Sequence, residues 1–270
     1  MSPTSASSPP SARSLSQVRP EALPRRTPVA RAVLAQAVME LRLLLRSGES
    51  LLVTLGIPLG VLVFFSEIDV LPTGDGPRVD FLVPGVLAIS VTATGLVAVA
   101  IQTAFERKYG VLKRLGGTPL SRPAFLTAKG LAVAAILAVQ TGLVLAVAAG
   151  LLDWTPSGSV LGGLGGVALG AVTFTALGLL MAGALRAEAT LALSNAAFLV
   201  LLVISGITFD ASVLPDALAA VGRALPAGAL GEVLRASLLE GRVALADALV
   251  VAGWGAAAVV LSARWFRWEP

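Results

Sequence analysis

The chain has 270 residues, of which 56% are hydrophobic and 13% are charged, and its formal net charge is +4. A soluble domain is closer to half apolar and a quarter charged, so this composition predicts an integral membrane protein. The sequence contains no Cys and no His, which excludes disulfides, zinc sites built on those residues and His-based catalysis. The positive charge does not indicate nucleic-acid binding, because the basic residues cluster beside apolar runs, where they set membrane orientation.

The N-terminal part of the chain divides into two segments. Residues 1–28 are rich in Ser, Pro and Arg and lack an apolar core long enough for a signal peptide, so they predict a disordered cytoplasmic tail. Residues 29–47 follow a helical period, with an apolar arc and a mostly polar arc that includes Glu40, Arg42 and Arg46. We expect an amphipathic helix in the membrane interface. The alternative is a first span that begins early.

Six apolar runs follow, each close to the ~20 residues that cross a bilayer. They cover roughly residues 50–66, 81–104, 130–152, 160–185, 189–207 and 243–263. We therefore expect an all-α membrane protein, with a six-helix transmembrane domain over residues 48–264 and a cytoplasmic C-terminal end over 265–270. In the fourth run Gly162, Gly166 and Gly170 recur at four-residue spacing, which favours close helix packing.

Loop charge predicts the orientation of these spans. Residues 67–80 are acidic and are expected outside, whereas residues 105–129 hold six basic residues against Glu106 and are expected in the cytoplasm. Arg264 and Arg267 favour a cytoplasmic C-terminus, so we expect a protein of the cell membrane with both termini in the cytoplasm. No charged residue lies near the middle of any run, which argues against proton-coupled carriers and channels with charged filters.

The basic loop also has an ordered pattern. Residues 106–115 lack Pro and carry Val111, Leu112 and Leu115 at helical spacing, which predicts a short helix ended by Gly116 and Gly117. One interpretation is a cytoplasmic helix with an apolar edge that docks a soluble partner. The other is a solvated loop that only sets topology.

The order of residues favours docking. Residues 106–122 stand as E-R-x-x-G-x-L-K-R-L-x-x-T-P-L-S-R, which resembles the cytoplasmic loop of type-2 ATP-binding-cassette (ABC) exporter permeases, including those of the daunorubicin-resistance type. In that family this loop forms the coupling helix that docks on the ATPase subunit. Lys108 departs from the family, which often has an acid there, and would change which ATPase is accepted. The resemblance implies coupling roles for Glu106, Arg107, Gly110, Leu112, Arg114, Leu115 and Pro119.

Residues 208–242 are predicted to hold two helices too short to span, over 214–225 and 227–239, separated by Pro226. They would dip into or lie on the outer leaflet, the alternative being a simple amphipathic hairpin. Their order resembles the broken last outer loop of type-2 permeases, and Pro84-Gly85 at the start of the second run matches the same pattern. The proposed outer gate consists of Leu214, Pro215, Leu218 and Pro226.

The sequence contains no G-x-x-x-x-G-K-[ST] phosphate loop, so the chain is predicted to be no enzyme and to bind no cofactor itself. The resemblance implies an exporter permease for a hydrophobic or amphipathic substrate, driven by a separate ATPase subunit that binds ATP. Two copies, or one copy and a paralogue, would form the pathway, surrounded by membrane lipid and without nucleic acid. A secondary transporter of a neutral solute and a non-transporting membrane scaffold are the alternatives.

Overall fold

A computed structural model describes the chain over six ranges. These are residues 28–46, 48, 52–68, 76–116, 121–208 and 214–265. Ten helices lie in them, and these ranges hold no strand. The helices are α1 (Val29–Arg46), α2 (Leu52–Glu67), α3 (Arg78–Lys108), α4 (Val111–Gly116), α5 (Arg122–Leu151), α6 (Val160–Ala184), α7 (Ala187–Ile204), α8 (Asp216–Ala224), α9 (Pro226–Glu240) and α10 (Leu245–Trp265). The predicted all-α membrane fold is confirmed.

Five of the six predicted spans are helices long and apolar enough to cross a membrane, namely α3, α5, α6, α7 and α10. The first predicted run forms the shorter α2, which opens with a π-helical stretch, Leu52–Gly56. The helices extend beyond the apolar runs, because α3 continues to Lys108 and α5 already begins at Arg122. Charged residues that the apolar runs left outside therefore belong to the ends of the spans.

Helix α1 packs along the first part of α5. Val33 and Ala37 are buried against Ala124 and Ala128 of α5. Leu34 and other apolar side chains of α1 stay exposed, as an amphipathic helix in the membrane interface requires. The predicted helix is confirmed, and its place in the interface stays a prediction.

The bundle has two ends that differ in chemistry. At the end we call the basic end, α3 and α6 finish and α5 begins, and the guanidinium of Arg107 reaches the last carbonyls of α6. At the opposite, far end, α3 begins and α5 finishes, and the indole of Trp154 donates to Asp80 at 2.7 Å. Because α1 contacts the start of α5, it lies at the basic end.

Helices α8 and α9 meet at a bend of 84°. The amides of Gly158 and Ser159, just before α6, donate to carbonyls of Leu238 and Ser237 in α9 at 2.8 Å and 2.7 Å. The end of α9 is thus held at the far end, where α10 starts. Since α7 also finishes at the far end, the bent pair enters the bundle and returns to the same end.

The glycines of α6 form the seat for α9. A Cβ on Gly166 would lie 3.0 Å from Leu234, and one on Gly170 would lie 2.7 Å from Leu230. Both leucines are fully buried. The predicted packing role of the glycine spacing is confirmed for these two residues, and the partner is α9, which returns to the far end.

Helix α3 is continuous but contains a π-helical stretch, Ala93–Ala98, near its middle. Such stretches widen a helix locally and often occur at functional sites. Gly178 of α6 packs directly on it, since a Cβ there would lie 2.7 Å from the carbonyl oxygen of Gly95. The two backbones therefore touch at this level without an intervening side chain.

Candidate functional site

The predicted coupling segment lies at the basic end, but it is not one helix. Helix α3 runs through Lys108, a turn follows at Tyr109 and Gly110, and α4 begins at Val111. The expectation of a single short helix over 106–115 is therefore wrong. Gly110 has φ +72°, the left-handed conformation that ends helices and favours glycine, and this turn separates the two helices. Pro119 lies outside the described residues, as does the side chain of Leu115.

Arg107 faces the interior of the protein. Its side chain is buried, and its Nη1 donates to the carbonyl of Gly183 at 2.8 Å, while Nη2 donates to the carbonyl of Leu185. The last carbonyls of a helix have no partner within the helix, so this guanidinium caps α6. Arg107 thereby ties the end of α3 to the end of α6.

Lys108 forms an ion pair with Glu188 in the first turn of α7. Both side chains are partly exposed, so solvent screens the pair and it adds little stability. Lys108, which departs from the pattern that this loop resembles, thus has an acidic partner in the same chain. Selection of the ATPase is not needed to explain Lys108.

Glu106 belongs to a buried ionic cluster. The ammonium of Lys129 in α5 lies 2.9 Å from each carboxylate oxygen of Glu106 and 2.9 Å from Oε2 of Glu40 in α1. Gln102 donates to Glu106 at 2.9 Å and to Glu40 at 3.2 Å. The exposed fractions are 3% for Lys129, 6% for Glu40 and 17% for Glu106. We call Glu40, Gln102, Glu106 and Lys129 the Lys129 cluster.

The exposed part of the segment differs from the predicted apolar edge of Val111, Leu112 and Leu115. Leu112 has no exposed surface, so it packs inside this chain and its side chain is unavailable to a partner. Val111 is 42% exposed and Tyr109 is 69% exposed, and Lys113 and Arg114 also lie on the surface. We call Tyr109, Val111, Lys113 and Arg114 the coupling surface. Of the predicted coupling residues whose side chains the structure describes, only Arg114 belongs to this surface.

The predicted gate residues are in different surroundings. Leu218 in α8 is 42% exposed and Pro215 is exposed, whereas Leu214 is partly buried. Pro226 is buried, because it opens α9, which packs into the bundle core. The structure therefore divides the four residues between a surface helix and a buried helix, and their role as a gate stays a prediction.

A polar bridge inside the membrane region was missed, because only charged residues were considered there. In the side chain of Gln140 in α5, Nε2 donates to the backbone carbonyl of Thr54 at 2.7 Å. Its Oε1 accepts from the hydroxyl of Thr94 at 3.4 Å. Thr54 and Thr94 lie in the π-helical stretches of α2 and α3. Gln140 therefore joins the two irregular parts of neighbouring helices.

The burial of Glu40 was also missed, although the helical period contains the signal. At 100° per residue, Glu40 lies only about 20° from Val33, which is on the face that contacts α5. As a charged residue, Glu40 was predicted to belong to the polar arc. Its position in the helical period, however, puts it on the face that packs against α5. An acid on an apolar face needs a buried partner, and Lys129 is that partner.

One comparison with known proteins places most of the chain in a single family. The family model for the ABC-2 type transporter matches residues 32–239, about three quarters of the chain. The matched range contains the Lys129 cluster, the coupling surface and all of the bent pair α8 and α9 except Glu240. A comparison with curated proteins finds no match.

Proposed function

Because the chain belongs to the family of ABC-2 type transporters, we propose that it is the membrane subunit of an ABC exporter powered by a separate ATPase subunit. The observation that carries the proposal is the coupling surface, an exposed basic and aromatic patch on the short helix α4 and the turn before it. Glu106 and Arg107, in the last turn of α3, anchor this patch to the ends of other helices. A force on α4 would therefore reach the spans.

The basic end is proposed to face the cytoplasm. Lys113 and Arg114 lie beside it, and short loops rich in Lys and Arg stay on the cytoplasmic side. An ATPase that carries acidic groups around its docking groove would complement this surface. In this arrangement the protein lies in the cell membrane with both termini in the cytoplasm. The bent pair α8 and α9 then faces the outside of the cell.

The cargo is proposed to be hydrophobic or amphipathic, and transport is proposed to run outward. The mid-span residues that are polar, such as Gln140 and Thr94, are uncharged. A pathway lined by uncharged residues suits a molecule that partitions into lipid. The pathway would form between two copies, or between this chain and a paralogue, and the ATPases would shift it between two states. Leu214, Pro215, Leu218 and Pro226 are proposed to close its outer end.

The docking of the ATPase is tested by Val111→Asp. Val111 is half-buried by its own chain, and a partner would cover the rest, so an added charge would be desolvated without a partner. We expect the variant to reach the membrane in normal amount, to lose at least tenfold in ATPase copurification and to lose transport. The ATPase is expected to be encoded next to this chain.

The matched control is Val243→Asp at the far end, where Val243 is 75% exposed. It introduces the same charge and should leave copurification unchanged. Normal binding and transport by Val111→Asp would refute the coupling surface. Transport by the purified chain without any ATPase would favour a secondary transporter, and absence of transport with a bound partner would favour a scaffold.

A further inference from the structure

The Lys129 cluster joins three helices at one ammonium group. Glu40 comes from α1, Glu106 from the last turn of α3 and Lys129 from the start of α5. Gln102, one turn before Glu106, donates to both carboxylates and closes the network. Gln36 of α1 also donates to Glu40 at 2.9 Å, so each carboxylate has a donor from its own helix, and the ammonium of Lys129 is the group that pairs with both carboxylates.

The cluster is expected to add little to the stability of the helix packing. A buried ion pair gains little over well-packed apolar residues of the same size. Here two carboxylates face one ammonium, so the formal charges leave one negative charge in excess. Val33 and Ala37 already bury α1 against α5, so Glu40 is not needed for that contact.

What the cluster adds is a fixed register. Apolar faces tolerate sliding, whereas Glu40 and Glu106 both reach Lys129 in only one arrangement of the three helices. Buried polar groups are known to specify register in this way. The cluster also lies at the right place, because only Tyr109 and Gly110 separate the end of α3 from the start of α4.

We propose that Lys129 is a positioning residue that locks α1 and α5 to the last turn of α3, so that all three follow the coupling surface as one body. This inference rests on the proposed function, since it takes the coupling surface to be where force enters. It makes α1 a working part of the coupling machinery, in addition to Arg107, which connects the same turn to α6.

The decisive variant is Glu40→Leu. It removes the excess carboxylate and leaves Lys129 and Glu106 as a balanced pair, so we expect the protein to fold. The polar link to α1 is lost, while the packing of Val33 and Ala37 on α5 remains. The matched control is Lys108→Met, which breaks the exposed pair with Glu188 at the same end of the bundle.

The first measurement uses the purified chain alone in lipid nanodiscs. Spin labels are attached through Val38→Cys on α1 and Arg114→Cys on α4, both exposed positions in a chain without native Cys. We expect one narrow distance distribution, which Glu40→Leu broadens at least twofold and Lys108→Met leaves unchanged. An unchanged distribution in Glu40→Leu would overturn the proposal, as would equal broadening in both variants. If Glu40→Leu is not recovered folded, Glu40→Gln replaces it under the same criteria.

The second measurement uses unlabelled protein assembled with its ATPase. Glu40→Leu should retain ATP hydrolysis and ATPase binding, with an unchanged melting temperature, while transport per ATP falls at least threefold. A merely structural cluster would lower the melting temperature and leave transport per ATP unchanged. The nanodisc experiment needs no ATPase, so it can refute the lock even if the chain proves not to be an ABC subunit. Loss of ATPase binding in Val111→Asp tests the proposed function separately.

Discussion

Arg107 shows how one side chain holds the end of a neighbouring helix. Its guanidinium donates to the carbonyls of Gly183 and Leu185, at the point where α6 ends and the chain turns into α7. These carbonyls have no other helical donor, and the site is buried. Loss of charged hydrogen bonds at a buried site typically costs about 1.5–3 kcal/mol.

We therefore predict that Arg107→Gln destabilises the protein by about 2–3 kcal/mol, measured as a fall in the thermal melting temperature of the purified chain. The control is Lys108→Gln, which removes the neighbouring charge from an exposed pair and should leave the melting temperature nearly unchanged. Equal melting temperatures for the two variants would mean that the cap on α6 is not needed for stability.

Leu112 and Glu40 mark the limit of sequence prediction at the residue scale. Val111, Leu112 and Leu115 share one apolar edge by spacing, but spacing does not say whether the chain itself or a partner covers that edge. The tertiary structure decides it, and it buries Leu112 completely. For Glu40 the period indicated the packed face, but the partner Lys129 is 89 positions away in the chain.

At the scale of elements, the contact between α3 and α6 depends on glycine. A Cβ on Gly178 would lie 2.7 Å from the carbonyl oxygen of Gly95 and 2.8 Å from that of Leu96. Both atoms belong to the backbone of the π-helical stretch of α3, so they cannot rotate away as a side chain would. The helices would have to separate to admit even one methyl group.

Gly178→Ala should consequently destabilise the fold by about 1–3 kcal/mol, the usual range for overpacking. The control lies in the same helix, because a Cβ on Gly165 meets nothing within 4 Å. Gly165→Ala should be neutral or slightly stabilising, since Ala favours helix over Gly. Thermal melting of the two variants measures the difference, and equal stability would show that α3 adjusts its position freely.

The helices themselves were largely predictable, and their ends were not. Apolar runs locate α3, α5, α6, α7 and α10, because long apolar stretches have few alternatives to helix in a membrane. The same rule cuts each run at its first charge, which left Glu106 and Lys129 outside the spans. The bend between α8 and α9 was indicated by Pro226, whereas the burial of α9 depends on glycines of α6 that precede it by about 60 residues.

For the whole molecule, contacts between distant elements determine how often the chain crosses. The Lys129 cluster holds α1 at the basic end, and Arg78 starts α3 at the far end. The chain must cross once between them, and α2 is the described helix in that interval. Its 16 residues rise only about 24 Å, but Thr54 already contacts Gln140, well inside the bundle. The helices long enough to span are α3, α5, α6, α7 and α10, so with α2 we predict six crossings.

Six crossings, with the basic end in the cytoplasm as proposed, would put three exposed positions on defined sides of the membrane. We predict that Ala35→Cys and Arg114→Cys react with a membrane-impermeant thiol reagent only from the cytoplasm, and that Thr155→Cys reacts only from outside. The chain has no native Cys, so each label reports one site. Reaction of Ala35→Cys from outside would mean that α2 does not cross and that α1 lies on the other side of the membrane.

Leu218 tests whether the proposed outer segment moves. Leu218 is 42% exposed on α8, while Gly222 near the end of the same helix packs tightly on α7, since a Cβ there would lie 2.1 Å from the carbonyl oxygen of Ile204. If α8 closes the pathway, the labelling rate of Leu218→Cys should change severalfold when ATP is trapped on the assembled ATPase. Thr155→Cys, in the loop between α5 and α6, should keep its rate and serves as the control. A constant rate at position 218 during active transport would leave α8 and α9 as a static cap, because a gate must differ between the two states.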